Sequence, residues 1–209
     1  INLYLRVVGL RPDGYHELEM VNCCLDLADL VTVEAADDLS LRVQGTLPAK
    51  MLAAIPAGCR NLAAKAALKL CEARGLPAHF RITLEKRIPV GAGLGGGSAD
   101  AACVLRLIGG SAAALAAVAP RLGADVPYCL DGRPALVTGI GEIVRPVPMP
   151  RALDFVLVNP GIPLATPMVF GAYDREDAGR RRPRPVKPLL DALAAGNVRA
   201  VAAAVYNDL

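Results

Sequence analysis

Between Pro89 and Ala99 the chain reads PVGAGLGGGSA, with glycine at 91, 93, 95, 96 and 97 and Ser98 directly after them. Glycine lets the backbone turn its amides toward one point. The stretch from about Ser98 to Leu107 reads as a helix, and its N-terminal end adds unpaired amides and partial positive charge. Together these groups can cradle an anion, and Ser98 can offer its hydroxyl to a phosphate oxygen or to magnesium. Pro89, Val90, Ala92 and Leu94 complete the loop. A flexible connector is the plainer reading. A glycine run just before a good helix costs entropy without a use, however, so the loop is read as a phosphate site.

Two better-known loops fit worse. A Walker loop needs lysine and then serine or threonine after its last glycine, whereas Gly97 is followed by Ser98 and Ala99. Gly91, Gly93 and Gly96 satisfy the dinucleotide pattern G-x-G-x-x-G. That pattern also needs a strand feeding its first glycine and an acid about 20 residues on to hold a ribose. Here EKRIPV intervenes, and SAAALAAVAP at 111–120 has no acid and reads as helix. NAD is therefore not expected.

Periodicity indicates the elements that would hold the loop. HFRITLEK alternates as a strand, with Phe80, Ile82 and Leu84 on one face. NLAAKAALKLCEARG reads as a helix capped by Asn61 and ended by Gly75, with Leu62, Ala66 and Leu70 along one face. SAAALAAVAPRLG is a shorter helix. INLYLRVVGL, ELEMVNCCLDL, LVTVEAA and LSLRV read as strands, and their closeness predicts an antiparallel sheet. VPYCL and DFVLVNPG are also strand-like, and ALVTGIGEIVRPV predicts a hairpin turning at Gly139 and Gly141. After Tyr173, YDREDAGRRRPRPVKP predicts a mobile surface segment. LLDALAAGNVRAVAAAVYNDL closes as two helical pieces. Early strands, interspersed helices and no regular βα alternation predict an α+β fold.

The 209 residues suffice for one large domain or two small ones. A net charge of +3 suits anionic small ligands and argues against nucleic acid as a partner. The arginine run near 180 lacks the interleaved aromatics of a single-strand platform. Six cysteines form no C-x-x-C pair and no zinc spacing, which predicts free buried thiols in a reducing cytosol. No apolar run is long enough for a bilayer and no secretory leader is visible. A cytoplasmic protein without a membrane partner is expected. The chain opens at Ile1 inside a strand-like run and stops at Leu209 just after a helical pattern, so both ends read as cut.

PVGAGLGGGSADAA resembles the P-x-x-x-G-L-G-S-S-A-A motif of the GHMP kinases, the superfamily of galactokinase and of homoserine, mevalonate and phosphomevalonate kinases. NLYL with RPDGYHELEM, LGADVPYCL, GIGE and NPGIPLATPMVF are similar to further segments of one branch, in the same order. The resemblance implies an α+β fold with a ribosomal S5 domain 2-like nucleotide-binding domain over residues 1–148. Residues 149–209 would be part of a ferredoxin-like domain, with the active site in the cleft between the two. It also implies phosphoryl transfer from ATP, with Mg2+, to an alcohol. The triple glycine before Ser98 points to the branch that phosphorylates the 2-hydroxyl of a methylerythritol carried on cytidine diphosphate, in isoprenoid precursor synthesis. An acceptor of homoserine or mevalonate type is the alternative within the superfamily. An RNA-binding module is the alternative outside it, because the first-domain fold is shared with a ribosomal protein.

Roles for single residues follow from the resemblance. Asp125 in GADVP is the catalytic candidate, accepting or orienting the acceptor hydroxyl; from spacing alone, a turn before Pro127 is an even alternative. The family places a lysine immediately before the position of Ile1 and a further glycine loop beyond that of Leu209. Asn2 matches an asparagine at the acceptor end. Tyr15, His16 and Phe170 are implied as the cytidine site, where aromatic faces stack on the base and His16 reads its edge. Asn61, Leu62 and Lys86 match positions near the adenine. As a helix cap and a solvated strand end, Asn61 and Lys86 have nearly equal structural readings. Glu142 reads as a hairpin acid. The link LRLIGGSAAAL is shorter than is usual in the family.

Overall fold

A computed structural model describes residues 1–162, 164–176 and 184–209. The described chain packs as two compact units, one of residues 25–131 and one of 1–24 with 132–209. These bounds are set by packing and differ from 1–148 and 149–209, the domain bounds expected from sequence.

In the unit of residues 1–24 and 132–209, strand β1 (Asn2–Leu10) pairs antiparallel with β2 (His16–Asn22) around the RPDG turn. The elements within 25–131 come next in the chain. They are β3 (Leu30–Ala35), β4 (Ser40–Gly45), the short helix α1 (Ala49–Ala53), α2 (Leu62–Arg74), β5 (Phe80–Lys86), α3 (Gly96–Ile108), α4 (Ala112–Leu122) and α5 (Val126–Asp131). The first unit resumes with the hairpin β6 (Ala135–Gly139) and β7 (Ile143–Pro146), then α6 (Thr166–Glu176), α7 (Lys187–Ala194), α8 (Val198–Ala204) and β8 (Tyr206–Asn207). Its sheet runs β7-β6-β2-β1-β8. Leu3, Tyr4 and Val21 from that sheet are buried with Leu189, Leu193 and Val201 from α7 and α8.

The unit of 25–131 has a three-stranded sheet ordered β3-β5-β4, with β3 antiparallel and β4 parallel to β5. The expected antiparallel sheet of the first four strands is thus corrected. β1 and β2 pair, but β3 and β4 belong to the second sheet and flank β5. The physical reason is the crossover through α1 and α2. It is long enough to bring β5 back between them, so that Val31, Val33, Leu41 and Val43 cover the core of Ile82, Leu84, Leu70 and Leu105. The alternation of HFRITLEK reports this burial correctly: Ile82 and Leu84 are fully buried.

Two other strand expectations fail. VPYCL forms α5, whose Val126 and Tyr128 are buried where α5 packs on α3 and α4. A short apolar run reads the same as strand or buried helix. DFVLVNPG joins no ladder among the described residues, and Val156 and Val158 are 91% and 88% exposed. Past Tyr173, α6 continues to Glu176, while residues 177–183, part of the expected mobile segment, lie outside the described residues. None of the six cysteines is in a disulfide, and Cys24 and Cys59 are exposed rather than buried. No described helix is long and apolar enough to cross a membrane.

Candidate functional site

The loop between β5 and α3 alternates in backbone sign. Gly91, Gly93 and Gly95 have φ of 70°, 70° and 66°, while Ala92 and Leu94 between them keep negative φ. Such alternation turns successive amides toward one concave side, a nest that binds anions. A Cβ placed on Gly93, Gly95 or Gly97 would meet no atom within 4 Å, so the space beside them is open. The start of α3 is open as well. α2, α4 and α8 are capped by Asn61, Ser111 and Asn197, whose side chains accept amide hydrogens; Gly95 caps α3 with no side chain. The amides of Gly96, Gly97 and Ser98 precede the first intrahelical bond, which Ala99 N–H donates to the Gly95 carbonyl. Pro89, Val90, Ser98 and Ala99 are half-buried at the two ends of the loop.

Under the loop lies a buried charge cluster. Lys86, the last residue of β5, is 4% exposed. Its ammonium donates to Asp100 Oδ2 at 2.6 Å and, closely, to Asp29 Oδ2. Asp29 Oδ1 also accepts the amides of Arg87 and Ile88, at 2.6 and 2.9 Å. Burial pushes the Asp100 carboxyl up to about 6, against the lowering effect of Lys86. Lys86 is therefore no solvated strand end. Sequence reasoning missed both carboxylates. Asp100 carried a weak signal, an acid inside the first turns of a helix after a glycine loop. Asp29 carried none, because it lies 57 residues from Lys86.

Asp125 stands just before α5, and its carbonyl accepts from Cys129 N–H at 3.0 Å. α5 packs against α3, the helix that begins at the glycine loop. Its carboxylate accepts no hydrogen bond from a described protein group. Water reaches it, yet protein is dense enough around it that burial pushes its carboxyl up from the ordinary value. A carboxyl shifted in this direction is suited to taking up a proton. Asn61 is buried, with both ends of its amide engaged: Oδ1 accepts Ala63 N–H at 2.9 Å and Nδ2 donates to the Pro56 carbonyl at 3.0 Å. Leu62 packs half-buried against the core of this unit.

The remaining residues belong to the other unit. His16, on β2, stacks on Phe170 of α6, with ring centroids 4.7 Å apart and planes 19° apart. Its Nε2 lies 2.8 Å from Asp174 Oδ1, a partner the sequence reading missed, although Phe170 and Asp174 share one face of α6 at i and i+4. Tyr15 is 61% exposed beside them in the chain. Asn2 donates to the buried Asn22 Oδ1 at 2.8 Å across β1 and β2. Glu142 accepts the Ile140 amide at 2.7 Å, which closes the β6–β7 hairpin.

Residues 61–133 match the model of the GHMP kinases N terminal domain. Over 93% of its length the chain is 43% identical to the 4-diphosphocytidyl-2-C-methyl-D-erythritol kinase of Paramagnetospirillum magneticum, of which it spans 70%. The chain belongs to the 4-diphosphocytidyl-2-C-methyl-D-erythritol kinase family. Its counterpart from Streptomyces avermitilis is 41% identical, over 100% of this chain and 72% of that one. A crystal structure of 4-(cytidine 5'-diphospho)-2C-methyl-D-erythritol kinase superposes with a TM-score of 0.71 at 41% identity, covering 94% of this chain and 69% of the other. Homoserine kinase from Cytophaga hutchinsonii superposes with a TM-score of 0.52 at 15% identity, over 91% and 65% of the two chains, and shares the fold alone. The α+β architecture is thus that of a GHMP kinase. Members of this superfamily use ATP. The glycine loop and Asp125 both lie within the matched residues 61–133.

Proposed function

We propose that this chain transfers the γ-phosphoryl group of ATP to the 2-hydroxyl of 4-diphosphocytidyl-2-C-methyl-D-erythritol. The carrying observation is the uncapped start of α3 beneath a loop of alternating backbone sign. Backbone alternation of this kind turns amides between Gly91 and Ser98 to one side, and among the described residues no side chain caps the start of α3. A polyphosphate tail meets both the nest and the helix dipole. Asn61 and Leu62 stand near the adenine side, Asn61 chiefly by fixing the start of α2. As the acceptor oxygen bonds to the γ-phosphorus, the bridging β–γ oxygen leaves with ADP. The acceptor proton passes to the Asp125 carboxylate, whose raised affinity for a proton suits it to that task.

Among the described residues no three His, Cys, Asp or Glu side chains gather to hold a metal. That donor set fits Mg2+ only as an ion held mainly by nucleotide phosphates, with the Ser98 hydroxyl beside them. An ion held there would neutralise charge on the phosphate tail.

The cytidine end is assigned to Tyr15, His16 and Phe170, and the acceptor end to Asn2. His16, with Nε2 on Asp174 and its ring on Phe170, holds that phenyl ring in place. Phe170 already has one face on His16, so the base stacks on its other face and on Tyr15. The names of the relatives support this acceptor over homoserine or mevalonate. A coupled ADP-release assay of the full-length protein against these three alcohols tests the reading. Turnover is expected with the cytidine-bearing acceptor, and turnover with homoserine or mevalonate alone would overturn it.

A further inference from the structure

We propose that Asp29, Lys86 and Asp100 form a tether that fixes both ends of the glycine loop for the nucleotide, with Lys86 acting through the loop rather than on the nucleotide. This rests on the nucleotide reading of the loop. Lys86 closes β5, where the loop begins, and Asp100 lies in α3 just after the loop ends. One ammonium binds both, through Asp100 Oδ2 directly and through Asp29, whose other oxygen holds the Arg87 and Ile88 amides that lead into the loop. The ring closes by packing as well. A Cβ on Gly96 would sit 3.0 Å from Ile88 Cγ2, so the entry and exit of the loop touch.

Burying two carboxylates and one ammonium is expensive, and an apolar trio of similar volume is often at least as stable. A stability role alone therefore accounts poorly for the cluster. What needs it is the loop. Glycines lose the most freedom on ordering, Pro89, Val90, Ala92 and Leu94 between and before them carry only apolar side chains, and Gly95 brings no cap. Held at both ends before the nucleotide arrives, the loop does not draw its ordering cost from binding. The ammonium is turned inward rather than toward the open side of the loop: the Lys86 side chain is 5% exposed and both of its contacts among the described residues are carboxylates. Lys86 and its partners are positioning residues.

The test is Asp100→Asn in the full-length protein, which keeps shape and one hydrogen bond but removes a charge. Amide hydrogen exchange without nucleotide is expected to quicken about tenfold over residues 91–98, with residues 82–84 of β5 unchanged. KM for Mg-ATP should rise roughly tenfold, with KM for the acceptor within about twofold. Unchanged loop exchange, or equal quickening throughout residues 25–131, overturns the tether. Asp29→Asn, which keeps the amide contacts but loses the lysine, is the second variant and carries the same expectations. In the wild type, the 15N signal of the Lys86 ammonium should stay in place when Mg-ATP analogue is added, and a large shift would mean direct contact and overturn the assignment. Failure of the wild type to bind Mg-ATP sinks the nucleotide reading, while loop exchange in the variants still decides the tether.

Discussion

A carboxylate can serve this molecule in two opposite ways, and the difference lies in what surrounds it. Asp125 is open to water and takes no hydrogen bond from a described protein group, so its raised proton affinity is free to act on a substrate. Asp125→Asn should lower kcat by about 10² to 10⁴ while Mg-ATP still binds, as measured by steady-state turnover and by calorimetric titration. Near-normal turnover would remove Asp125 from the mechanism. In the wild type, kcat should fall as pH drops through the raised value, because a protonated base accepts nothing. Asp100 is closed off, and its shift expresses itself in stability instead. Its folded value of about 6 lies above the ordinary 3.8, so the folded state holds this proton more tightly. The contribution is fully present below the ordinary value and is lost as pH rises through about 6. Thermal unfolding across pH 4 to 7.5 should show a loss of stability near pH 6 in the wild type that Asp100→Asn lacks. Parallel curves would mean that Asp100 is ionised throughout.

At the scale of elements, the loop and α3 stand or fall together. Gly95 holds φ of 66° at the cap of α3. A branched side chain there is strained by about 1–2 kcal/mol, whatever room it has. The room itself is the path of the phosphates, since a Cβ on Gly95 meets nothing within 4 Å. Gly95→Val should leave the unit of 25–131 folded, judged by circular dichroism, and abolish binding of a fluorescent ATP analogue; retained affinity would place the phosphates elsewhere. The glycine run and the apolar period of α3 made this site legible in the sequence, as the Asn61 cap and the alternation of β5 made its supports. Three features were not legible. VPYCL is too short to carry a period of its own, and only its packing on α3 and α4 makes it helix. β3 and β4 could not be seen to leave their sequence neighbours, because partner choice depends on the crossover that returns β5 between them. Asp29 meets Lys86 only after that sheet has formed, and no local pattern foretells a contact across 57 residues.

For the whole molecule, the division into two compact units predicts separable kinetics. The glycine loop, its tether and Asp125 lie within residues 25–131, with their own core, whereas His16, Phe170 and Asp174 belong to the unit of 1–24 and 132–209. Phe170 is half-buried and lies outside the buried set of Leu3, Tyr4, Val21 and the residues of α7 and α8. Removing its ring forfeits the stack on His16, about 0.5–1.5 kcal/mol, without opening the core. Phe170→Ala should therefore raise KM for the cytidine-bearing acceptor roughly tenfold, as losing one base-stacking face implies. KM for Mg-ATP should hold, because none of the residues assigned to the phosphates touches that ring. Initial rates measured with each substrate varied in turn decide the matter. A rise in both constants would show that Phe170 supports the fold rather than the base. An unchanged acceptor constant would remove the aromatic cluster from recognition and leave the cytidine end without a binding surface.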